Sequence, residues 1–131
     1  MADILNSYTE ETLKHFKNPH NMGEIKDASG KGRVGNPVCG DVMELQLKIE
    51  KKNGRDIISD AKFQTFGCGA AIATSSMLTD MIIGKPVEEA EKVTNKMIID
   101  ALGGLPNTKR HCSVLAEEAL RKALKSYREN N

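Results

Sequence analysis

The sequence has few of the features that would point to a nucleic acid or a membrane. Its 131 residues include no tryptophan, two tyrosines and three phenylalanines, and its 19 basic side chains nearly balance 18 acidic ones. A nucleic-acid surface usually needs a clustered positive charge and aromatic side chains, so we expect no nucleic-acid partner. Polar residues and glycine, such as Thr79, Asp80 and Gly84, interrupt the apolar stretches before they approach the ~20 residues of a membrane-spanning helix. We therefore expect no membrane partner.

Cysteine is also scarce, with three in the chain: Cys39, Cys68 and Cys112. An odd number of thiols cannot all pair within one chain, and residues 1–5 lack the charged-then-apolar layout of a secretion signal. We expect reduced thiols and a cytoplasmic location. A chain of this length buries enough apolar surface to fold without disulfides, so we take residues 1–131 as a single domain.

The hydrophobic pattern changes period along the chain. A helical stripe over residues 5–16 stops before Asn18-Pro19, because a residue preceding proline disfavours the helical conformation. The glycine-rich residues 20–36 predict a loop. Residues 42–49 alternate as a half-buried strand does. The inward face of that strand carries Met43, Leu45, Leu47 and Ile49.

The dipeptide Asn53-Gly54 predicts a tight hairpin turn, because both residue types tolerate positive φ. A second, antiparallel strand is expected over residues 57–66. A hairpin sets the start of its first strand beside the end of its second, so we expect Cys39 and Cys68 at one edge of the sheet.

Helical spacing dominates the rest of the chain, over residues 70–83, 94–102 and the last twenty residues. The fold class we predict is α+β: a small antiparallel three-stranded sheet packed against several helices, with a long C-terminal helix.

The surroundings of the cysteines favour binding of metal or sulfur. Cys68 and Cys112 lie at or just before predicted helix starts, where backbone amides and the helix dipole favour a thiolate. Glycines beside Cys39 and Cys68 leave room for a bulky group at the sulfur. Oxygen and nitrogen ligands lie close in sequence, and a lysine adds positive charge. The candidate ligands are Cys39, Asp41, Cys68, His111 and Cys112, with Lys109 as an auxiliary residue.

Several alternatives stay open on the residues alone. The cysteines are 29 and 44 residues apart, which does not match the paired C-x-x-C spacing of a zinc ribbon. One alternative is a structural zinc site made by Asp41, Cys68, His111 and Cys112. Another is a cysteine nucleophile at Cys112 activated by His111, which we disfavour because adjacent residues at a helix start point in different directions.

The other two histidines, His15 and His20, are expected to be solvated on a surface helix and loop. We expect no cysteine or acidic residue to be placed so as to use them.

The chain resembles the U-type iron-sulfur cluster scaffold family, IscU and the N-terminal domain of NifU. The resemblance covers nearly the whole chain and rests on motifs in the family's order. They are NPHNMG at 18–23, GNPVCGD at 35–41, FGCGAAIATSS at 66–76 and HCSVLAEEAL at 111–120.

This resemblance implies a non-catalytic scaffold. Iron and persulfide sulfur from a cysteine desulfurase of the IscS/NifS type would form a [2Fe-2S] cluster, which is then passed to apo-protein acceptors. The resemblance makes the three cysteines cluster ligands, Asp41 the residue that tunes cluster lability and His111 an auxiliary ligand. Cys112 is the candidate sulfur acceptor, and zinc can occupy the same pocket. Whether one chain holds the cluster or two share it, as a cluster-bridged homodimer, stays open.

One segment departs from the family pattern. Residues 105–109 read Leu-Pro-Asn-Thr-Lys, where members usually have the Leu-Pro-Pro-Val-Lys site of an Hsp70-type chaperone. That chaperone is therefore a doubtful partner. The family's N-terminal aromatic corresponds to Tyr8, for which desulfurase docking, self-association and a core role are all open.

Overall fold

The structure is a computed structural model that describes residues 8–36, 41–67 and 69–130, apart from the side chains of Asn36, Asp41 and Thr108. In chain order the elements are α1 (Glu10–Lys17), β1 (Gly30–Asn36), β2 (Asp41–Lys52), β3 (Arg55–Phe66), α2 (Gly69–Ile82), α3 (Val87–Ala90), α4 (Asn95–Ala101), a 3₁₀ turn (Asn107–Lys109) and α5 (His111–Glu129). The α+β class, the three-stranded antiparallel sheet and the long C-terminal helix are confirmed. Within the described ranges, no helix has the length and apolar character that crossing a membrane requires.

The sheet has the order β1-β2-β3, and both pairings are antiparallel. Asn53 and Gly54 join β2 to β3 with φ values of 53° and 78°, which confirms the predicted hairpin turn. The predicted inward face of β2 is buried too, since Met43, Leu45 and Leu47 are each 1% exposed or less. The two strands of the hairpin therefore form as predicted, each slightly longer than its apolar pattern.

Strand β1 lies inside the segment that the sequence predicts as a loop, and that prediction is wrong for residues 30–36. Burial alternates along β1, with Gly30, Gly32 and Val34 covered and the residues between them exposed. Two of the three covered positions are glycine because α5 crosses them closely. A Cβ added to Gly32 would lie 2.5 Å from the backbone nitrogen of Ala123. Burial does alternate along β1, but because two of the buried positions are glycine, the alternation is not visible as a pattern of apolar side chains.

Helix α1 begins later than its apolar stripe. Thr9 caps it, and the Thr9 Oγ1 accepts a hydrogen bond from the Thr12 backbone N–H at 3.1 Å. Tyr8 therefore precedes the helix, and residues 5–7 lie outside the described part of the chain. The helix ends at Lys17, before Asn18-Pro19, as predicted.

Helix α2 runs through the interior and buries nine of its fourteen residues. Its neighbours are the sheet, α1 and α5, and the apolar core formed between them includes Phe63, Leu78 and Leu120. Helix α2 thus helps to position α1 and the first turn of α5 relative to the sheet edge, together with the packing of α5 on β1.

Candidate functional site

The strand ends that flank two of the predicted cysteines lie together. Asn36 at the end of β1 pairs with Asp41 at the start of β2, and Val42 pairs with Phe66 at the end of β3. The hairpin thus brings the start of β2 and the end of β3 to one edge, as predicted. Cys39 and Cys68 lie outside the described residues, as does the side chain of Asp41, so their convergence stays a prediction.

Cys112 lies in the first turn of α5, and its side chain is fully buried. Its Sγ is 3.6 Å from Nε2 of His111, whose side chain is exposed. The Thr74 Oγ1 of α2 reaches the Cys112 carbonyl oxygen at 3.5 Å. Helix α2 therefore holds the beginning of α5, and two of the predicted ligands lie within contact of each other.

The close approach of His111 to Cys112 overturns one argument from the sequence. Adjacent residues at a helix start were expected to point apart, yet this imidazole turns back to the sulfur. Burial is the stronger objection to a nucleophilic cysteine, because a substrate does not reach this sulfur unless the first turn of α5 is uncovered. The same burial means that any group entering at Cys112 has to displace the side chains that cover it.

Positive charge surrounds the beginning of α5. Lys109 closes the 3₁₀ turn and Arg110 is the N-cap residue of the helix. Arginine offers no side-chain acceptor to the first-turn amides, although its carbonyl oxygen accepts from the Ser113 N–H and hydroxyl at 3.1 and 2.6 Å. Two positively charged residues therefore directly precede the first turn that carries Cys112.

The open space expected at Gly69 is filled by α1. A Cβ on Gly69 would lie 3.1 Å from the ring of Phe16. Gly69 therefore lets α1 pack on the start of α2. Cys68 itself lies outside the described residues, so the room expected at its sulfur stays a prediction. Phe66, by contrast, is 75% exposed. An exposed aromatic ring thus stands beside the strand ends.

A second group of polar side chains was missed because its members are distant in sequence. His15 is only 5% exposed, and its Nδ1 lies 2.6 Å from the Ser76 Oγ. His20 is exposed, but its Nδ1 lies 2.6 Å from the Asp80 Oδ2. The expectation of a solvated side chain is therefore wrong for His15 and confirmed for His20, whereas the expectation that no acidic residue is placed to use them is wrong. The sequence carries one signal for this contact, because Ser76 and Asp80 are four residues apart and share one face of α2.

Burial lowers the pKa of His15 below its ordinary value of 6.5, and the nearby His20 lowers it further. The carboxylates of Asp80 and Glu11 oppose these effects. The buried imidazole is therefore held towards its neutral form.

Comparison with known proteins gives one consistent result. The family model described as NifU-like N terminal domain matches residues 7–131. Two iron-sulfur cluster assembly scaffold proteins of Archaeoglobus fulgidus, both named IscU, are 55% identical over 124 residues, which is 95% of this chain and 78% of each relative. The IscU scaffold protein of Aquifex aeolicus is 51% identical over 120 residues, 92% of this chain and 75% of the relative.

Among solved structures, the N-terminal part of a nitrogen-fixing NifU-like protein from Brucella abortus matches with a TM-score of 0.68. The match covers 96% of this chain and 97% of that one at 14% identity. At this identity the likeness shows the fold alone.

Proposed function

Because this chain belongs to the NifU-like N-terminal domain family, we propose that it is a non-catalytic scaffold on which an iron-sulfur cluster is assembled and from which the cluster is passed on. One observation carries the proposal: relatives that are 55% identical over 95% of the chain are named as such scaffolds. Residues 1–131 act as a single scaffold domain in this proposal. The cytoplasmic location stays a prediction.

The proposed cluster ligands are Cys39, Asp41, Cys68, His111 and Cys112. The adjoining strand ends and the 3.6 Å approach of His111 to Cys112 support this set. Thiolates are the ligands that iron-sulfur clusters prefer, whereas a carboxylate or imidazole binds them less strongly. We propose that three thiolates and one harder ligand hold a [2Fe-2S] cluster with one weaker corner, at which an acceptor thiol attacks.

Sulfur delivery also involves the beginning of α5. The donor in this proposal is a cysteine desulfurase of the IscS/NifS type. The Cys112 thiolate attacks the outer sulfur of the donor's persulfide, the donor's S–S bond breaks, and the donor thiolate leaves. Because Cys112 is fully buried, the transfer requires the first turn of α5 to be uncovered. Lys109 and Arg110 provide positive charge for the thiolate.

Zinc is the second candidate occupant of this pocket. A spacing of 3.6 Å between Sγ of Cys112 and Nε2 of His111 suits two ligands of one tetrahedral ion. If zinc were structural there, its removal would unfold the chain, because such an ion contributes directly to folding.

Anaerobic reconstitution tests the proposal. The chain is incubated with ferrous iron, cysteine, a desulfurase and dithiothreitol, whose oxidation to its disulfide supplies the electrons that reduce persulfide sulfur to sulfide. Visible absorption, iron and acid-labile sulfide are then measured. We expect charge-transfer bands and equal amounts of iron and sulfide. Cys112→Ser should lower cluster yield and persulfide formation on the chain. Val114→Ser, which changes an exposed side chain of the same helix, should not.

A chain that gives no charge-transfer bands, retains zinc and unfolds when a chelator removes that zinc would contradict the scaffold and support structural zinc.

A further inference from the structure

His15, His20 and Asp80 bring three potential metal ligands to one place, outside the cysteine-containing edge. One ligand atom from each lies within 4.8 Å of the others. His15 comes from α1, His20 from the loop after it, and Asp80 from the last part of α2. We propose that these three residues form a second divalent-cation site, selective for a borderline ion such as Zn²⁺.

The backbone fixes the loop that carries His20. The Asn21 carbonyl oxygen accepts from the Phe63 N–H at 3.0 Å, and the Gly23 N–H donates to the Phe63 carbonyl oxygen at 2.9 Å. The His20 N–H itself donates to the Ser76 Oγ at 2.8 Å. The loop is thus tied to both β3 and α2, so His20 is positioned by main-chain contacts.

Hydrogen bonds from neighbouring residues also orient the three ligands. In the tautomer protonated at Nδ1, His15 donates to the Ser76 Oγ at 2.6 Å, and its other ring nitrogen, Nε2, carries the lone pair. The Asn21 Nδ2 donates to the Asp80 Oδ1 at 3.2 Å, which leaves Oδ2 for the cation. Outer hydrogen bonds of this kind orient the ligands of known metal sites.

The charges also suit a dication. The Glu11 Oε2 lies 3.9 Å from the His15 Nε2 and adds a second carboxylate beside His15. Two imidazole nitrogens and a carboxylate are a ligand set that zinc prefers and that Mg²⁺ and Ca²⁺ do not.

Binding requires only a small movement. The His20 Nδ1 and Asp80 Oδ2 are 2.6 Å apart, as hydrogen-bonded partners are. Ligands on a tetrahedral zinc ion lie about 3.3 Å apart, given Zn–N and Zn–O distances near 2 Å. The side chains of His20 and Asp80 are 55% and 36% exposed, so they can separate without disturbing the core. The cation then replaces the proton that they share.

The site is separate from the cysteine-containing edge. Asp80 is eleven residues past Gly69 along α2, or roughly 16 Å at 1.5 Å per residue. One ion therefore does not serve both places, and the two can be loaded and measured independently.

Zinc titration of the full chain, followed by NMR of the histidine ring nitrogens, tests the proposal. The chain has three histidines, so each can be followed by itself. We expect the ring-nitrogen signals of His15 and His20 to shift together as zinc is added and to reach saturation. This binding step should be distinct from any step in which the His111 signals shift. Rings of His15 and His20 that do not shift while His111 does would overturn the proposal and leave the cluster scaffold untouched.

Two exposed variants complete the test. Asp80→Asn and His20→Gln should each weaken the second step at least tenfold, since losing even an outer partner of a metal ligand costs about 10–100-fold. Asp100→Asn, an exposed acidic residue on α4, is the matched control and should leave both steps unchanged. Unaltered zinc affinity in Asp80→Asn, with native circular dichroism, would overturn the site.

Discussion

His15 shows how a single side chain depends on the whole fold. It is buried between α1 and α2 against the Ser76 hydroxyl, and its pKa is lowered chiefly by burial. The unfolded chain binds a proton near pH 6.5, whereas the folded chain binds it only at lower pH. Folding stability from this group is therefore present above pH 6.5 and is lost as the pH falls from there through the folded pKa.

We predict that His15→Gln reduces the acid sensitivity of the fold. The free energy of unfolding, measured in urea at pH 7.5 and pH 5.5, should fall between the two values in the wild type. It should fall less in His15→Gln, because glutamine does not titrate. His111→Gln, at an exposed histidine, is the control and should retain the wild-type difference. An equal loss in His15→Gln and the wild type would contradict the assignment.

The sequence predicts which residues are candidate ligands, but not how deeply each of them is buried. The types of the ligands and their glycine and histidine neighbours are visible in the motifs, so the candidates at Cys112 and His111 could be named in advance. The burial of Cys112 and of His15 could not, because each depends on contacts with α2 from residues 38 and 61 positions away. A sequence pattern indicates which residues are close along the chain, but not which distant residues the fold brings into contact.

At the scale of elements, the glycines of β1 and the close packing of α5 depend on each other. The covered face of β1 offers glycine where α5 crosses, so the helix backbone comes within reach of the strand. The Lys122 Nζ also donates to the Arg33 carbonyl oxygen at 3.2 Å. The position of α5, and with it of Cys112, therefore depends on the absence of a side chain at two positions of the edge strand.

We predict that Gly32→Ala destabilises the fold by about 3 kcal/mol, because the added Cβ overlaps the backbone of α5 and the core has no room to relax. Urea denaturation measures the change. Lys31→Ala, on the exposed face of the same strand, should change stability by less than about 0.5 kcal/mol. Equal stabilities of Gly32→Ala and Lys31→Ala would show that α5 does not pack on β1 as described.

The hairpin and β1 mark the limits of prediction at this scale. Asn53-Gly54 and the alternating apolar residues of β2 define the hairpin locally, so its turn and buried face were predicted correctly. Strand β1 has no local signal, since Gly30 and Gly32 read as loop residues until α5 is known to cover them. Long-range packing decides the element there.

At the scale of the whole molecule, the fold brings the ends of three strands together and sets helix starts near them. Helix α2 connects this edge to α5 through Thr74 and, through Ser76, to His15 of α1. The proposed scaffold depends on this arrangement, because ligands from distant parts of the sequence have to meet at one cluster. A ligand set with one weaker member would favour release as well as binding.

Cluster transfer to an apo-ferredoxin, followed by circular dichroism of the [2Fe-2S] centre, tests the central claim most directly. We predict that the reconstituted wild-type chain transfers its cluster. Asp41→Ala should transfer it severalfold more slowly, because the hard carboxylate is lost and the softer imidazole of His111 holds that corner of the cluster instead. Asp100→Ala should behave as the wild type. A wild-type chain that keeps its cluster in the presence of apo-ferredoxin, or equal transfer rates from the wild type and Asp41→Ala, would contradict this account.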